Sequence, residues 1–387
     1  MIIWQLIFWL TLFSIFHSYL LFPWLIQILA RKKQQNSIRF NVNEMPPVTI
    51  LISAYNEQLV IRDKLLSILN SSYPENRITV LIGSDNSTDG TNKILKEFAD
   101  SHNFISAILF DRREGKPAVI NKLMELVKDE FVIMTDANVI FHEQTISGLM
   151  QHFKNPEIGI VGGSIINEDV KRNGVSIQEK AFTSRELKIK MREGLIWGSA
   201  IGVEGGIYAI RKELYRPVPK GFSVDDFFIS MSVLRLGKKV ILDTQVITFE
   251  DLPGMLSEEY RRMVRIATGN FRNMRYFFRE LLTPWRGASF AYFSHKVIRW
   301  LGPFIILLFM LSNTMLYGYN KFYDYTLFTT VILFCLPIID FFLSKIGIHV
   351  VFLRFVRHFI TMNIALLHGF INNLGGITRD VWQPTNR

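Results

Sequence analysis

The stretch FVIMTDANVIF, residues 131–141, decides how the rest of the chain is interpreted. It begins with apolar and partly β-branched residues, which are typical of a strand buried inside a sheet. The apolar run ends on Asp136, and Asn138 follows two residues later. A simple turn would explain this Asp-Ala-Asn sequence, and so would a site that holds a positively charged group. Taken alone, the tripeptide leaves both interpretations open.

Segments on both sides of this stretch alternate between strand and helix patterns. Strands are predicted at 48–56, 78–86, 105–111, 131–137 and 158–166, and helices at 59–69, 91–100 and 116–129. This alternation indicates an α/β fold with a mostly parallel sheet and helices on both faces. Ligands of such sheets bind beyond the carboxyl ends of the strands. Polar residues collect there, namely Tyr55, Asn56, Glu57, Asp85, Asn86, Ser87, Asp111, Arg112, Asp136 and Asn138.

Composition narrows the class of protein. The chain has 387 residues and a formal net charge of +10, from 44 Lys and Arg against 34 Asp and Glu. A basic chain favours anionic partners such as a nucleotide, a nucleic acid or an anionic membrane face. The hydrophobic fraction of 49% and the mean hydropathy of +0.20 are high for a soluble enzyme. Because Cys335 is the single cysteine, no internal disulfide is possible.

The apolar residues are concentrated at the two ends of the chain. Residues 1–30 carry no charged side chain, and a membrane-spanning helix needs only about 20 mostly apolar residues. The segment has no basic start and no small-residue cleavage site, so we expect a membrane anchor and not a removable signal peptide. Arg31, Lys32 and Lys33 follow directly. The positive-inside rule therefore predicts that the chain after this helix lies in the cytoplasm.

The C-terminal end is predicted to contain further membrane helices. Two spans are predicted near 300–317 and 325–344, joined by a short outer loop. The stretch near 347–370 carries Arg354, Arg357 and His358, and charged side chains are costly in lipid. It is therefore predicted to be an interfacial or re-entrant helix and not a third C-terminal span.

Several common enzyme motifs are missing. Gly115-Lys116 has Phe110 where the first glycine of a P-loop would stand, which excludes a P-loop ATPase. No G-x-G-x-x-G follows the first strand, and no G-x-S-x-G occurs. The eight histidines show no zinc-ligand spacing. A hydrolase triad and a zinc enzyme are thus poorly supported.

Seven motifs occur in the order typical of one known family. They are ISAYNE, SDNSTDGT, REGKPAVINK, TDAN, EGGIYAIRKELY, VDDFFISMSVLRLGKKV and EYRRMVRIATGNF. This series resembles family 2 glycosyltransferases with a GT-A fold, over about residues 45–280. The membrane helices and SHKVIRWLGPF, residues 294–304, resemble the membrane-embedded branch related to polysaccharide synthases. No internal repeat accompanies them.

The resemblance implies a domain organisation and a location. The predicted parts are an N-terminal transmembrane helix at 1–30, a cytoplasmic GT-A nucleotide-sugar-binding domain at 31–297, and a C-terminal membrane region at 298–387. Such a chain is expected to be an integral protein of a bacterial inner (plasma) membrane. Its expected partners are a nucleotide-sugar donor, a lipid-linked or glycan acceptor and membrane lipid, with no nucleic acid.

The resemblance also gives the Asp-Ala-Asn tripeptide a role. Asp136 resembles the first carboxylate of the family's D-x-D motif, and Asn138 stands where the second Asp usually is. The implied cofactor is Mg²⁺ or Mn²⁺, because hard cations prefer oxygen ligands and neutralise the charge of a leaving diphosphate. The amide oxygen of Asn138 would be the weaker ligand.

Other motif positions are implied to bind the donor. Asp85 matches the family aspartate that hydrogen-bonds the uracil edge, and Tyr55 and Glu57 resemble base and ribose contacts. Lys116 resembles the donor-site lysine at a helix start, where the helix N-terminus itself attracts phosphate. Ordinary loop residues and a surface lysine are the alternative interpretations. Asp89 is more simply explained as a helix N-cap.

Acidic and glycine pairs carry the implied chemistry. In VDDFFISM, Asp226 matches the general base and Asp225 the supporting acid. The alternative is that both only favour the helix dipole. In EGGIYAIRKELY, Gly205 and Gly206 resemble the acceptor-side loop, where the lack of a side chain lets backbone approach the sugar.

One motif departs from the pattern of processive synthases, which carry Gln-x-x-Arg-Trp. Here Arg262 replaces Gln, Arg265 matches Arg, and Ile266 replaces Trp. Arg262 and Arg265 share a helix face and are predicted to clamp the donor diphosphate. Without Trp there is no stacking surface for a growing chain, so the transfer of a single sugar is predicted. In-line attack opposite the leaving diphosphate would make this transfer inverting. The alternatives are a processive synthase that works with exporter proteins, and a non-catalytic membrane scaffold.

Overall fold

The structure is a computed structural model that describes residues 1–34, 36–41, 44–167, 176–250, 256–282 and 287–376. The strands are β1 (Val48–Ala54), β2 (Ile78–Ser84), β3 (Ile105–Leu109), β4 (Phe131–Asp136), β5 (Ile140–Phe141), β6 (Ile158–Asn167), β7 (Ile207–Arg211) and β8 (Lys239–Glu250). Within these described ranges they form one sheet in the order β3-β2-β1-β4-β7-β6-β8-β5. The predicted α/β class is confirmed.

The first half of the sheet is parallel. Strand β1 pairs in parallel with β2 and β4, and β2 pairs in parallel with β3. In this register Ser53 lies beside Asp136, and Ala54 lies beside Ser84. The residues that follow β1, β2 and β4 therefore leave the sheet at one edge, as the sequence predicted.

The second half is mixed, and the sequence did not predict it fully. Strand β7 pairs antiparallel with both β4 and β6, while β8 pairs in parallel with β6 and antiparallel with β5. The predicted acceptor-side loop is shorter than EGGIYAIRKELY. It ends at Gly206, because Ile207–Arg211 is a fully buried strand. A buried run of five residues has no periodicity that distinguishes a strand from a loop entering the core.

Helices cover both faces of the sheet. Helix α1 (Ile2–Ala30) lies at the N-terminus, and the helices that follow it up to residue 276 are α2 (Ile61–Leu69), α3 (Thr91–Ser101), α4 (Lys116–Leu126), α5 (Thr145–Met150), α6 (Ser176–Trp197), α7 (Asp225–Arg235) and α8 (Leu256–Tyr276). Successive side chains of a strand point to opposite faces. Accordingly Ile50 and Ile52 belong to one hydrophobic core, while Leu51 belongs to the other.

The apolar ends form long helices. Among the described residues, α1 (29 residues) and α11 (Lys321–Lys345, 25 residues) are long and apolar enough to span a membrane. The span predicted near 300–317 corresponds to α10 (Gly302–Met315), which is bent by 66° from α9 (Gly287–Trp300). Alone, its 14 residues reach only about 21 Å. The stretch predicted near 347–370 is α12 (Val351–Leu374), which packs on α8.

Candidate active site

The loops after β1 and β2 are hydrogen-bonded to each other. Asn56 and Asn86 both have left-handed backbone conformations, with φ of 53° and 57°. The Asn56 side-chain oxygen accepts a hydrogen bond from the backbone N–H of Thr88 at 2.8 Å. Between these loops Glu57 is buried, and its N–H donates to the Thr91 hydroxyl at 2.8 Å. Tyr55 lies under the Arg113 guanidinium, whose carbon is 3.5 Å from the ring centroid.

Asp85 is buried at the end of β2 and holds a neighbouring loop. Its two carboxylate oxygens accept hydrogen bonds from the N–H groups of Glu114 (2.7 Å) and Gly115 (2.8 Å). Gly115 has a φ of 89°, which a residue with a side chain rarely adopts. Asp85 thus orients the loop that leads into α4, and its predicted contact with a nucleobase stays a prediction. Asp89 accepts from the N–H of Thr91 at 3.0 Å, but the N-cap of this helix is Gly90, one residue after the predicted position.

Lys116 lies between two groups of carboxylates. Its Nζ is 2.5 Å from Asp136 Oδ1 and 4.0 Å from Asp225 Oδ2. Burial alone would lower the pKa of Lys116, but Asp136, Asp225 and Asp226 outweigh it and raise the pKa above its ordinary value. Lys116 is therefore a permanent cation at the start of α4, in the position where the sequence predicted a donor-site lysine.

The Asp136-Ala137-Asn138 turn connects β4 to β5 beside the end of β8. The Asn138 amide donates to Glu250 Oε1 at 2.8 Å. Asp136 keeps a partly exposed carboxylate beside the Lys116 ammonium. Glu250 was not singled out from the sequence, because it ends a strand that was not predicted. It adds a carboxylate next to the amide that replaces the family's second Asp.

Lys64 supports this turn from inside the protein. Its side chain is fully buried, and Nζ donates to Thr135 Oγ1 at 2.8 Å and to the Val139 carbonyl. The same Nζ lies 3.5 Å from the centroid of the Phe141 ring. Burial lowers the pKa of Lys64 well below its ordinary value, while Asp136 acts in the opposite direction. No pattern in the sequence predicted this role, because one lysine in an amphipathic helix usually faces solvent.

The oxygen donors fit a hard divalent cation whose coordination shell is completed by the substrate. In the described ranges, no group of three or more His, Cys, Asp or Glu side chains is arranged to hold a metal ion. Mg²⁺ commonly binds through one or two carboxylates together with water and substrate phosphates. Asp136, with the amide of Asn138 and the Glu250 carboxylate beside it, provides that kind of incomplete oxygen set.

The two acids of VDDFFISM are the first residues of α7, on the side of the site where Lys116 lies. Asp225 is buried and Asp226 is half-buried. Burial, and then the charge of Asp225, raise the pKa of Asp226 to about 6, although Lys116 and Lys190 partly oppose the shift. A carboxyl group with this pKa is suited to accept a proton near neutral pH.

Gly205 packs against one of these two acids, and Gly206 packs against apolar side chains. A Cβ on Gly205 would lie 3.1 Å from Asp226 Oδ2, and a Cβ on Gly206 would lie 2.9 Å from Val139 Cγ2. Gly205 thus lets backbone pass close to Asp226, and Gly206 lets backbone pass close to Val139. The preceding Glu204 accepts from Lys190 Nζ at 2.8 Å. Lys190 and Glu204 were not predicted from the sequence.

Helix α8 brings Arg265 to this site. Its Nη1 donates to the Ser223 carbonyl at 3.4 Å. Burial, and then Arg262, lower the pKa of Arg265, while Asp225 and Asp136 act in the opposite direction. The two arginines therefore lie near each other and near the carboxylates, as the shared helix face predicted. Their contact with a diphosphate stays a prediction.

Comparisons with known proteins agree with this arrangement. Residues 49–217 match the sequence model of a family described as Glycosyl transferase family 2. The chain is 25% identical over 247 residues to the Bacillus subtilis (strain 168) protein named Probable glycosyltransferase YdaM, covering 60% of this chain and 57% of that protein. It is 24% identical over 277 residues to poly-beta-1,6-N-acetyl-D-glucosamine synthase of Staphylococcus aureus (strain COL), covering 70% and 66%. The chain thus covers less than two thirds of each relative.

A solved structure supports the fold over nearly the whole chain. It is the mannosyltransferase PcManGT from Pyrobaculum calidifontis in complex with GDP-Man and Mn²⁺, with a TM-score of 0.73 and 18% identity. The similarity covers 96% of this chain and 99% of that one. This similarity shows a GT-A-like fold, within which residues 49–217 are the part that matches the Glycosyl transferase family 2 model.

Proposed function

We propose that the protein transfers one sugar, with inversion, from a nucleotide-sugar to a lipid-linked or glycan acceptor at the membrane, in surface or exopolysaccharide synthesis. UDP is the proposed nucleotide. One observation carries the proposal: Asp136, Lys116 and the Asp225–Asp226 pair converge at the carboxyl edge of the sheet. This geometry supplies a cation for a diphosphate and a base for an acceptor hydroxyl.

The donor would occupy the edge formed by β1, β2 and β4. Tyr55 and Glu57 lie at the end that would receive the nucleoside, with Asp85 behind the adjoining loop. Lys116 would attract the diphosphate together with the N-terminus of α4, since helix N-termini bind anions. Arg262 and Arg265 would approach the same phosphates from α8.

Mg²⁺ or Mn²⁺ would be held by Asp136 and Asn138. Such an ion supplies Lewis-acid stabilisation of the charge that develops on the leaving diphosphate. The Mn²⁺ in the PcManGT complex supports a divalent cation in this type of fold. Lys116 and Lys64 orient the Asp136 carboxylate and its turn from two sides.

Asp226 would act as the general base. It takes the proton of the acceptor hydroxyl while that oxygen forms a bond to the anomeric carbon of the sugar. The bond from this carbon to the diphosphate oxygen breaks, and its electron pair leaves with the nucleoside diphosphate. A single displacement from the opposite face converts an α-linked donor into a β-glycoside. Asp225 orients the helix start and raises the pKa of its neighbour.

The membrane helices define where the acceptor is met. With α1 and α11 in the membrane, an acceptor held by a lipid would reach the Gly205–Asp226 side of the site without leaving the membrane surface. We propose an integral inner-membrane protein of a bacterium, with the catalytic domain at 31–297 in the cytoplasm, where nucleotide-sugars are made.

A processive synthase that works with exporter proteins is the second candidate. The Staphylococcus aureus relative is named as a synthase of a β-1,6-linked polymer, which favours this alternative. Against it, Ile266 replaces the expected Trp, and the described residues contain two spanning helices, or three if the α9–α10 pair is one broken span. With so few candidate spans among the described residues, few helices are available to line a polymer channel.

Nucleotide release from a panel of nucleotide-sugars tests the proposal. The purified protein should release nucleoside diphosphate from one donor of the panel, should stop in excess chelator, and should recover with Mn²⁺ or Mg²⁺. Asp136→Asn should lose the metal-dependent part of donor binding. Full activity in excess chelator would exclude the metal role, and inactivity with every donor and acceptor tried would favour the scaffold alternative.

A further inference from the structure

Helix α8 lies directly on the segment 221–224 that leads into the catalytic helix α7. Asn273 is completely buried, and its Nδ2 donates to the Val224 carbonyl at 3.1 Å. Arg272 Nη1 donates to the Gly221 carbonyl. With the bond from Arg265 to Ser223, three of the four carbonyls in the segment accept hydrogen bonds from one helix.

Close contact accompanies these bonds. A Cβ on Gly269 would lie 2.6 Å from Val224 Cγ2, 2.8 Å from Ser223 Oγ and 3.2 Å from the Val224 backbone nitrogen. Real Cβ atoms do not approach other atoms within 3 Å, so only glycine lets α8 lie this close to the segment. A shift of α8 would therefore displace the segment 221–224 as well.

The position of Val224 matters for the chemistry. It directly precedes Asp225, and its carbonyl also accepts from the Phe228 N–H at 3.3 Å in the first turn of α7. The Asn273 amide thus binds the first carbonyl of the helix that carries both acids. A rotation of this peptide would turn Asp225 and Asp226 relative to Lys116, which lies 4.0 Å from Asp225.

Helix α8 is in turn held by the membrane-side helix α12. A Cβ on Gly369 would lie 2.4 Å from the Ala267 Cβ and 2.8 Å from the Thr268 backbone nitrogen. Asn373 Nδ2 donates to the Thr268 carbonyl at 3.3 Å. A continuous series of contacts therefore runs from α12 through α8 to the acids.

We propose that Asn273, together with Gly269, positions the Asp225–Asp226 pair, so that the placement of the base depends on the docking of α8. The inference rests on the function proposed above. Asn273 touches no reacting atom and acts through Val224. Such displacement is expected to be expensive, because a misplacement of about 1 Å at a catalytic group can reduce rates by about 10²-fold.

Asn273→Ala in the full-length, membrane-embedded enzyme tests this role. It should lower kcat about 10-fold or more, with a smaller change in donor KM and nucleotide affinity, because Asp85 and Lys116 bind the donor from elements other than α8 in the proposed function. The pH profile of kcat/KM should also change. Burial raises the pKa of Asp226, so a loosened helix start should move the acid limb to lower pH by about 0.5 unit or more. Gly269→Ala should shift the limb in the same direction by a different chemical change.

Arg275→Ala is the control, since Arg275 is an exposed residue of the same helix and should leave kcat and the pH profile unchanged. A loss of kcat without a shift of the acid limb, matched by a smaller fraction of protein that binds nucleotide, would show a merely structural role and overturn the inference. Asp226→Asn separates the two levels. If it is inactive while Asn273→Ala behaves like wild type, only this inference fails. If Asp226→Asn retains full turnover, the base assignment and the inference fail together.

Discussion

Two adjacent carboxyl groups at the start of α7 have different surroundings. Asp225 is buried, with Lys116 Nζ at 4.0 Å, whereas Asp226 is half-buried and faces the backbone of Gly205. Neighbouring acids whose environments separate their pKa values commonly divide the roles of base and supporting acid. The raised pKa of Asp226 supports its proposed role as the group that accepts the proton, and the charge of Asp225 contributes to that shift.

Substituting the two acids should therefore give different results. General base catalysis contributes about 10²–10⁴-fold, so Asp226→Asn should reduce kcat by about that factor and leave donor affinity nearly intact. The base must be ionised, so wild-type kcat/KM should fall as the pH drops through about 6. Asp225→Asn should cost less. Because it removes a like charge, it should move this acid limb to lower pH. An unmoved limb in Asp225→Asn would contradict the coupling of the pair.

Lys64 permits a second test at the scale of one residue. Lys64→Met keeps the length of the side chain but removes the donors to Thr135 and Val139 that support the Asp136 turn. Groups that orient metal ligands typically contribute about 10–100-fold, so the concentration of Mn²⁺ needed for half-maximal activity should rise by about that factor. The exposed Lys96→Met should change nothing. Normal metal dependence in folded Lys64→Met would show that the Asp136 turn keeps its conformation without Lys64.

At the scale of elements, a buried polar cluster joins α1, α6 and α9. Glu186 of α6 binds His295 Nε2 at 2.6 Å, Arg299 Nη1 at 2.8 Å and the Lys296 ammonium. His295 Nδ1 in turn lies 2.7 Å from Glu193 Oε1, and Arg299 donates to the Ser18 carbonyl of α1 at 3.2 Å. These contacts give SHKVIRWLGPF a structural role, because they join α1 to α6 and α9.

Glu186→Gln should therefore destabilise the protein strongly. Removing one partner of a buried ion group costs about 3–5 kcal/mol. Burial alone would raise the pKa of Glu186, but His295, Lys296 and Arg299 outweigh it and hold the pKa well below its usual range. This stabilisation is complete above the unfolded pKa of about 4.3 and is lost as the pH falls through the lower folded value. Below pH of about 4, wild type should thus lose stability faster than Glu186→Gln.

Thermal unfolding in detergent at several pH values measures this difference. Glu97→Gln is the matched control, because Glu97 pairs with Arg62 on the surface and both side chains are about half exposed, where ion pairs contribute little. Equal melting temperatures for the two variants at neutral pH would contradict a stabilising role for the cluster.

The elements also show what the sequence could predict. Long apolar runs bounded by turn residues predicted β1, β2 and β4, and the shared edge followed because parallel strands end together. Strand β7 was missed because its five residues insert antiparallel between β4 and β6. Pairing with distant strands cannot be recognised from the local sequence. Glu250, Lys64 and Lys190 approach the site from other elements, so only the packed chain shows their roles. Asp136, Lys116 and Asp226 were singled out because motifs marked them, and the structure brings the three together while their roles stay predictions.

At the scale of the whole molecule, the helices predict an orientation. Arg31, Lys32 and Lys33 follow α1, and basic residues stay on the cytoplasmic side. Residues 31–297 should then be cytoplasmic, and the turn between α10 and α11, which contains Tyr319, should lie outside. Replacing Cys335 by Ala gives a cysteine-free background. In intact cells a membrane-impermeant thiol reagent should label Tyr319→Cys and not Lys93→Cys. The reverse pattern would invert the orientation.

The number of sugars added per acceptor also depends on the whole molecule. A processive enzyme must hold its product between rounds, and the half-buried Ile266 offers no aromatic surface for that purpose. The described residues contain two helices long and apolar enough to span a membrane, or three if the bent pair is one span, so few helices are available to line a long channel. The purified enzyme should therefore add one sugar and then release its product. Ile266→Trp should increase product length if the missing aromatic surface limits retention, whereas Ile266→Leu should not.

Mass spectrometry and NMR of the product measure length and linkage in one experiment. An α-linked donor should yield a β-glycoside, because the acceptor oxygen attacks opposite the leaving diphosphate and the scheme contains one displacement. No sugar should remain covalently bound to the enzyme between steps. A retained α-linkage would overturn the direct displacement and with it the role of Asp226. A ladder of many sugars would instead overturn the single transfer and favour the processive synthase, because the same base serves each round of addition.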